Sequence, residues 1–158
     1  MNKRPRIELH LTQTDMVLEI LGWVAIVGIW TLTLINYFEL PEIIPTHYNG
    51  AGKADGFGNK ANILTLPIVS TILFVGMTIL NKYPHVFNYQ SEITDENALH
   101  QYTNATRMMR VLKLVIVLLF GLIIFKTIEN VNGNADGLGT WFLPFTIGLF
   151  IILTIYFL

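Results

Sequence analysis

Four long apolar stretches, separated by polar segments, organise this chain. Residues 16–37 are interrupted by a single charge, Glu19 near their start, and residues 63–80 carry none. Residues 111–125 form a shorter run with Lys113 close to one end, and residues 141–158 close the chain. A helix rises ~1.5 Å per residue and a bilayer's hydrocarbon is ~30 Å thick, so about 20 apolar residues suffice to cross it. The pattern predicts an all-α, integral membrane four-helix bundle with spans at about 16–37, 63–80, 108–128 and 141–158 of one domain covering 1–158. Lys113 is expected to run its stem along its helix and snorkel to the headgroups. Trp141 and Tyr156 suit interfacial anchors, and Pro67 and Pro144 are expected to kink the second and fourth helices.

Composition supports lipid as the solvent. Charged residues are 13% of the 158 and apolar residues 53%, with a mean hydropathy of +0.53, too few charges to cover a water-soluble globule. The first stretch exceeds the apolar core of a secretory signal and no small-x-small site follows it, so it is expected to stay in the mature protein. Lys3, Arg4, Arg6, Lys82, Arg107, Arg110 and Lys113 fall on one side of the bilayer in this layout, and Lys53, Lys60 and Lys126 on the other. Seven against three predicts both termini in the cytoplasm and residues 39–62 and 129–140 outside. This is the topology of a multi-pass protein of a bacterial inner or plasma membrane.

Between the second and third spans, Thr94 is placed to cap a helix whose first turn holds Asp95 and Glu96. That helix, from about 95 to about 129, is longer than the bilayer is thick and should project into the cytoplasm. A net charge of −1 gives no reason to expect nucleic acid as a partner. The absence of Cys excludes thiolate nucleophiles, thiolate metal sites and disulfides.

The densest chemistry lies in residues 39–62. Two prolines stiffen the first half of this loop and four glycines loosen the second, so it should be a structured turn region. His47, Tyr48, Asn49, Asp55 and Lys60 then present hydrogen-bonding and ionisable groups at the membrane surface. They either shape the loop, with Lys60 paired to Asp55 or a lipid phosphate, or they meet a ligand. Glu42, His47 and Asp55 are donors that zinc would accept, but their spacing matches no ligand motif and no metal or other cofactor is expected. Asn132, Asn134, Asp136 and Gly137 imitate the start of a calcium loop, yet its twelfth position is Leu143 and not the bidentate Glu. At the opposite end, Asp15 and Glu19 lie at a depth similar to Arg110 and Lys113, which predicts an interhelical ion pair. Gly22, Gly28, Gly76, Gly121 and Gly148 allow close packing, within the bundle or against a second copy in a homo-oligomer.

The segment Leu40-Pro-x-x-Ile-Pro-Thr-His47-x-Asn-x-x-Gly52-x-x-Asp55-Gly-Phe-Gly-x-Lys60, placed after a first membrane helix, resembles a bacterial membrane domain-of-unknown-function family. That domain also forms the N-terminal part of immunity proteins that protect cells from the sporulation-delay toxin peptide. Asn81-Lys-Tyr-Pro-His85-x-Phe-Asn-Tyr89 and Arg107-Met-Met-Arg110-x-Leu-Lys113 carry the likeness further, so that it covers residues 16–126 or so. The resemblance implies a helical membrane fold with the His47 loop outside. It singles out Pro45, His47, Asn49, Gly52, Asp55 and Lys60 as ligand-binding positions, and Pro84, Asn88 and Tyr89 on the inner side.

The leading expectation is a protein without catalytic residues, of a binding or immunity type, which recognises a toxin peptide or a lipid-like antimicrobial at the bilayer surface. Two alternatives stay open: a small membrane enzyme resembling a metal-dependent hydrolase, with His47 as ligand or base and Asp55 orienting it, and an accessory subunit of a transporter or sensor.

Overall fold

The computed structural model describes residues 4–157; Lys3 of the basic set and Leu158 lie outside the described residues. Helix α1 runs Gln13–Tyr37 and starts at a capping box. Thr12 Oγ1 accepts the Asp15 amide at 3.3 Å, and the Asp15 carboxylate accepts the Thr12 amide at 3.0 Å. Its 25 residues measure about 37 Å. A 3₁₀ turn, Lys60–Leu64, leads directly into α2, Thr65–Leu80. Helix α3, Ala98–Val131, has 34 residues, about 51 Å, and α4 covers Phe142–Phe157. Three helical stretches, Gln13–Tyr37, Lys60–Leu80 and Ala98–Val131, are long and apolar enough to cross a membrane. The 16 residues of α4 measure about 24 Å.

Helix α1 packs most extensively on α3, α2 lies against both, and α4 leans on α3. Ile26, Ile29, Phe74, Val117, Ile124 and Ile128 meet between the three long helices. The outward faces are apolar too: Ile35 on α1 is 69% exposed, Ile72 on α2 64% and Ile155 on α4 72%. Water would not tolerate so continuous an apolar surface, whereas lipid tails cover it without cost.

The all-α expectation needs correcting at residues 39–62, which hold a β-hairpin. Strand β1, Ile43–Tyr48, pairs antiparallel with β2, Ala54–Asn59. Asn49 closes the turn, its Oδ1 accepting the amides of Ala51 and Lys53 at 3.0 and 3.2 Å. Gly52 supplies the left-handed residue, with φ +76°. The ladder is irregular between Pro45 and His47 and again between His47 and Tyr48, as expected where a proline withholds its N–H. A two-stranded sheet is marginal alone. Here Ile44, 1% exposed, plugs it into the helical core.

At the other end of the bundle, residues 4–12 lie across the segment joining α2 to α3. Ile7 and Leu9 pack on Ile93, Ala98 and Tyr102, the Tyr102 hydroxyl donates to the Pro5 carbonyl at 3.0 Å, and Arg4 donates to the His85 and Phe87 carbonyls.

Three local expectations change. Helix α3 begins at Ala98 and not at Asp95, because Asn97 takes the Thr94 amide on its Oδ1 at 2.9 Å and the chain enters the helix after it; no side chain caps that terminus. Pro144 occupies the third position of α4, within the first turn, where a missing N–H breaks no helical bond; Pro67 is the third residue of α2 but follows directly on the 3₁₀ turn, inside the continuous helical stretch Lys60–Leu80. Gly22 and Gly121 do make close contacts within the chain, with Phe74 and Ile29, whereas Gly28, Gly76 and Gly148 face open space.

Candidate functional site

The hairpin sits over the ends of α2 and α3 and encloses a groove of about 430 Å³. Ile44, Pro45, Thr46, His47 and Tyr48 form one wall. Asn62, Ile63, Thr65 and Leu66 form the second, and Ile123 and Thr127 of α3, with Leu138 beyond it, form the third. The lining is largely apolar, with polar atoms at a few points. Tyr48 is fixed from α3: its hydroxyl lies 2.8 Å from Thr127 Oγ1 and accepts Asn130 Nδ2 at 3.3 Å. Asn130 Oδ1 in turn accepts the Gly137 amide, and the Leu138 amide donates to the Gly52 carbonyl at 2.7 Å. The hairpin and the loop after α3 are therefore latched to each other.

His47 and Asp55 face each other across the hairpin, Nδ1 to Oδ1 at 2.5 Å, with side chains 71% and 43% exposed. The glycine opposite His47 is required, since a Cβ on Gly56 would stand 2.9 Å from that of His47. Lys60 does not join them. Its ammonium pairs with Glu42 at 3.0 Å, donates to the Leu40 carbonyl at 3.4 Å and lies over the Tyr37 ring. The expected Asp55–Lys60 pairing is thus replaced by two separate pairs. Pro45 and His47 border the groove, Asp55 stands at its rim through His47, and Asn49, Gly52 and Lys60 shape the hairpin. Of the metal candidates only His47 and Asp55 meet, Glu42 being held by Lys60. Among the described residues no three His, Cys, Asp or Glu side chains converge.

A second polar constellation lies at the opposite end, inside the helices. Glu19 accepts Arg110 Nε at 3.1 Å and Lys113 Nζ at 2.6 Å, and Asp15 accepts Arg107 Nε at 3.1 Å and lies 3.7 Å from Arg110 Nη1. The expected ion pair between α1 and α3 is present, enlarged to five residues. The snorkelling expected of Lys113 is not: its side chain is fully buried, its ammonium donates to Thr78 Oγ1 at 2.7 Å and lies 4.4 Å from the centre of the Phe74 ring. Helix α3 extends far below this residue, and the side chain faces α1 and α2 instead of the interface. Pro84 is buried beside this region. Tyr89 donates to the Pro84 carbonyl at 2.9 Å, and burial, reinforced by Tyr102, raises its phenol to about 12. Asn88 is exposed and borders a groove with Tyr89 and the first turns of α3.

Sequence alone does not single out Thr78, Thr127 and Asn130, because an isolated hydroxyl or amide in a helical run carries no signal of its partner.

The fold and its lipid-facing surface define a membrane protein. Residues 24–71 match the family model described as Domain of unknown function (DUF1648). That stretch runs from the middle of α1 through the hairpin into α2, so it holds Pro45, His47, Asn49, Gly52, Asp55 and Lys60 and excludes α3. The chain is also 35% identical over 86 residues to an uncharacterized protein of Archaeoglobus fulgidus, covering 49% of this chain and 47% of that protein. The chain thus spans about half the length of the curated relative it matches, and the likeness extends to an archaeon. No solved structure matches.

Proposed function

We propose that this chain is a binding protein of the plasma membrane, of an immunity type, whose hairpin faces outward and receives a membrane-active peptide or lipid-like amphiphile. One observation carries the reading: the half-open groove between hairpin and helix ends joins an apolar lining to an exposed imidazole–carboxylate pair. An amphipathic ligand lying in the interface would place its apolar side against Ile44, Ile63, Leu66 and Leu138 and its polar side at His47 and Asp55. The latch from Tyr48 to α3 and from Gly52 to the loop after α3 holds the groove ready, which lowers the ordering cost of binding. Orientation rests on charge. Arg4, Arg6, Lys82, Arg107, Arg110 and Lys113 gather at the end opposite the hairpin, and such clusters stay in the cytoplasm.

The test is genetic and biochemical together. Cells lacking the gene are challenged with a panel of cationic membrane-active peptides, then complemented with the parent, His47→Ala or Asp55→Ala. The parent restores resistance to a member of the panel and both variants fail while accumulating to parental levels. Full protection by both alanine variants overturns the reading.

A further inference from the structure

Strand β1 has a free edge, and that edge borders the groove. The hairpin holds two strands, and no third strand pairs with either among the described residues, so each keeps one unpaired side. Helix α3 packs on β1 more than on β2, which makes β1 the inner of the two. Five consecutive residues, Ile44 to Tyr48, line the groove, and no residue of β2 does. Successive side chains of a strand point to opposite faces. A groove walled by five residues in a row therefore follows the edge of the strand and does not lie beneath one face of the sheet.

The ladder fixes which backbone groups look out from this edge. The Lys60 amide donates to the Glu42 carbonyl at 2.9 Å, and Ile43, Ile44 and Pro45 lie opposite Asn59, Gly58 and Phe57 in the same register. Opposed residues alternate between hydrogen-bonded and non-hydrogen-bonded pairs, so Glu42 and Ile44 turn their groups towards β2, and Ile43 and Pro45 turn theirs away. Pro45 has no N–H and contributes a carbonyl alone. The edge thus offers the Ile43 N–H and the carbonyls of Ile43 and Pro45, and no backbone group outside the hairpin meets them among the described residues. Charge at this end of the bundle suits a cation: Glu39, Glu42, Asp55, Glu129 and Asp136 stand against Lys53, Lys60 and Lys126.

We infer that the groove takes its ligand as an added strand. An extended cationic peptide segment lies along the outer edge of β1, with its backbone bonded to Ile43 and Pro45 and its alternate side chains directed at Ile63, Leu66 and Leu138. The six residues of β1 measure about 20 Å, which sets the length of the segment. This inference rests on the reading of the groove as a peptide site and narrows it, because a helix bonds its own backbone groups and a lipid has no row of amides to present. Main-chain bonds supply affinity, and the apolar wall and acidic rim select alternating apolar and basic side chains.

Binding to the full chain in zwitterionic detergent tests this. Three probes of equal charge are compared: a capped peptide of alternating valine and lysine about as long as β1, the same peptide N-methylated at every internal amide, and a leucine–lysine peptide patterned as an amphipathic helix. The expected result is that the extended peptide binds and slows amide exchange across residues 43–48, that N-methylation weakens it about tenfold through the lost backbone bonds, and that the helical peptide binds less well. Ile43→Pro deletes the outward amide and weakens the extended peptide several-fold without affecting the helical one. Equal binding of the N-methylated peptide, or no protection of residues 43–48, overturns the inference. A helical peptide that binds more tightly and is lost in His47→Ala overturns the strand mode and leaves the groove reading standing, whereas resistance unaffected by His47→Ala and Asp55→Ala removes both.

Discussion

The Lys113 ammonium lies 2.6 Å from the Glu19 carboxylate with no exposure of the lysine side chain, and the pair joins α1 to α3 inside the helical layer. Removing one member of a buried pair leaves the other charge unsolvated, which costs about 3–5 kcal/mol. The surplus cation makes the two halves unequal. Glu19→Gln leaves three cations and one carboxylate, whereas Lys113→Met leaves two of each. Denaturation in detergent should therefore show Glu19→Gln losing about 3–5 kcal/mol and Lys113→Met clearly less; equal losses would contradict the charge count.

Gly22 is the point where α1 meets Phe74 of α2, the ring that also lies under the Lys113 ammonium. A methyl group there must displace that ring, at a cost of about 1–3 kcal/mol. At Gly28, further along the same helix, a methyl group would meet nothing within 4 Å. Gly22→Ala should thus lower the unfolding midpoint while Gly28→Ala leaves it unchanged or slightly raised, the helix propensity of alanine being the better.

Tyr89 titrates at about 12 against an ordinary 10.0, chiefly because burial disfavours its phenolate. The folded state holds this proton more tightly than the unfolded state. Its contribution is therefore complete below about pH 10 and is lost as pH climbs towards 12. Burial raises Tyr102 as well, so alkaline titration followed by phenolate absorbance should show a late-ionising component that shrinks by one tyrosine in Tyr89→Phe; an undiminished late component in the variant would contradict the assignment of Tyr89 to it.

Much of the helical layout is legible in the residue pattern, and the reasons for the misses are local. Hydropathy reports the solvent, so the three long helices emerge within a few residues of their ends. Strand β1 contains Pro45 and β2 contains Gly56 and Gly58, residues that argue against strand, and the hairpin forms because Ile44 is anchored in the helical core. Propensity cannot show that anchor. The His47–Asp55 pair depends on hairpin register, which is set by tertiary contact, so only the crowding of polar residues in the loop is visible beforehand. Lys113 departs from expectation for a related reason: distance along a helix says how deep a residue lies, not which neighbour it faces.

Gly52 combines a φ of +76° with direct packing on the Gly139 backbone. Any side chain there is strained and also pushes the hairpin off the loop after α3. Gly52→Ala should cost about 1–3 kcal/mol and raise amide exchange in residues 49–54 and 134–139 together. Exchange confined to the first segment would show that the latch does not couple the two loops.

A membrane-crossing bundle, with the hairpin at one surface and residues 81–97 at the other, underlies every assignment of an outer and an inner side. The sequence has no cysteine, so single cysteines placed at Ala51, Val27 and Gln90 can be probed in intact cells with a membrane-impermeant maleimide without background. The expected result is labelling of Ala51→Cys from outside, labelling of Gln90→Cys only after the membrane is opened, and none of Val27→Cys on the lipid-facing side of α1. Labelling of the first two positions from the same side, or ready labelling of all three, would contradict it.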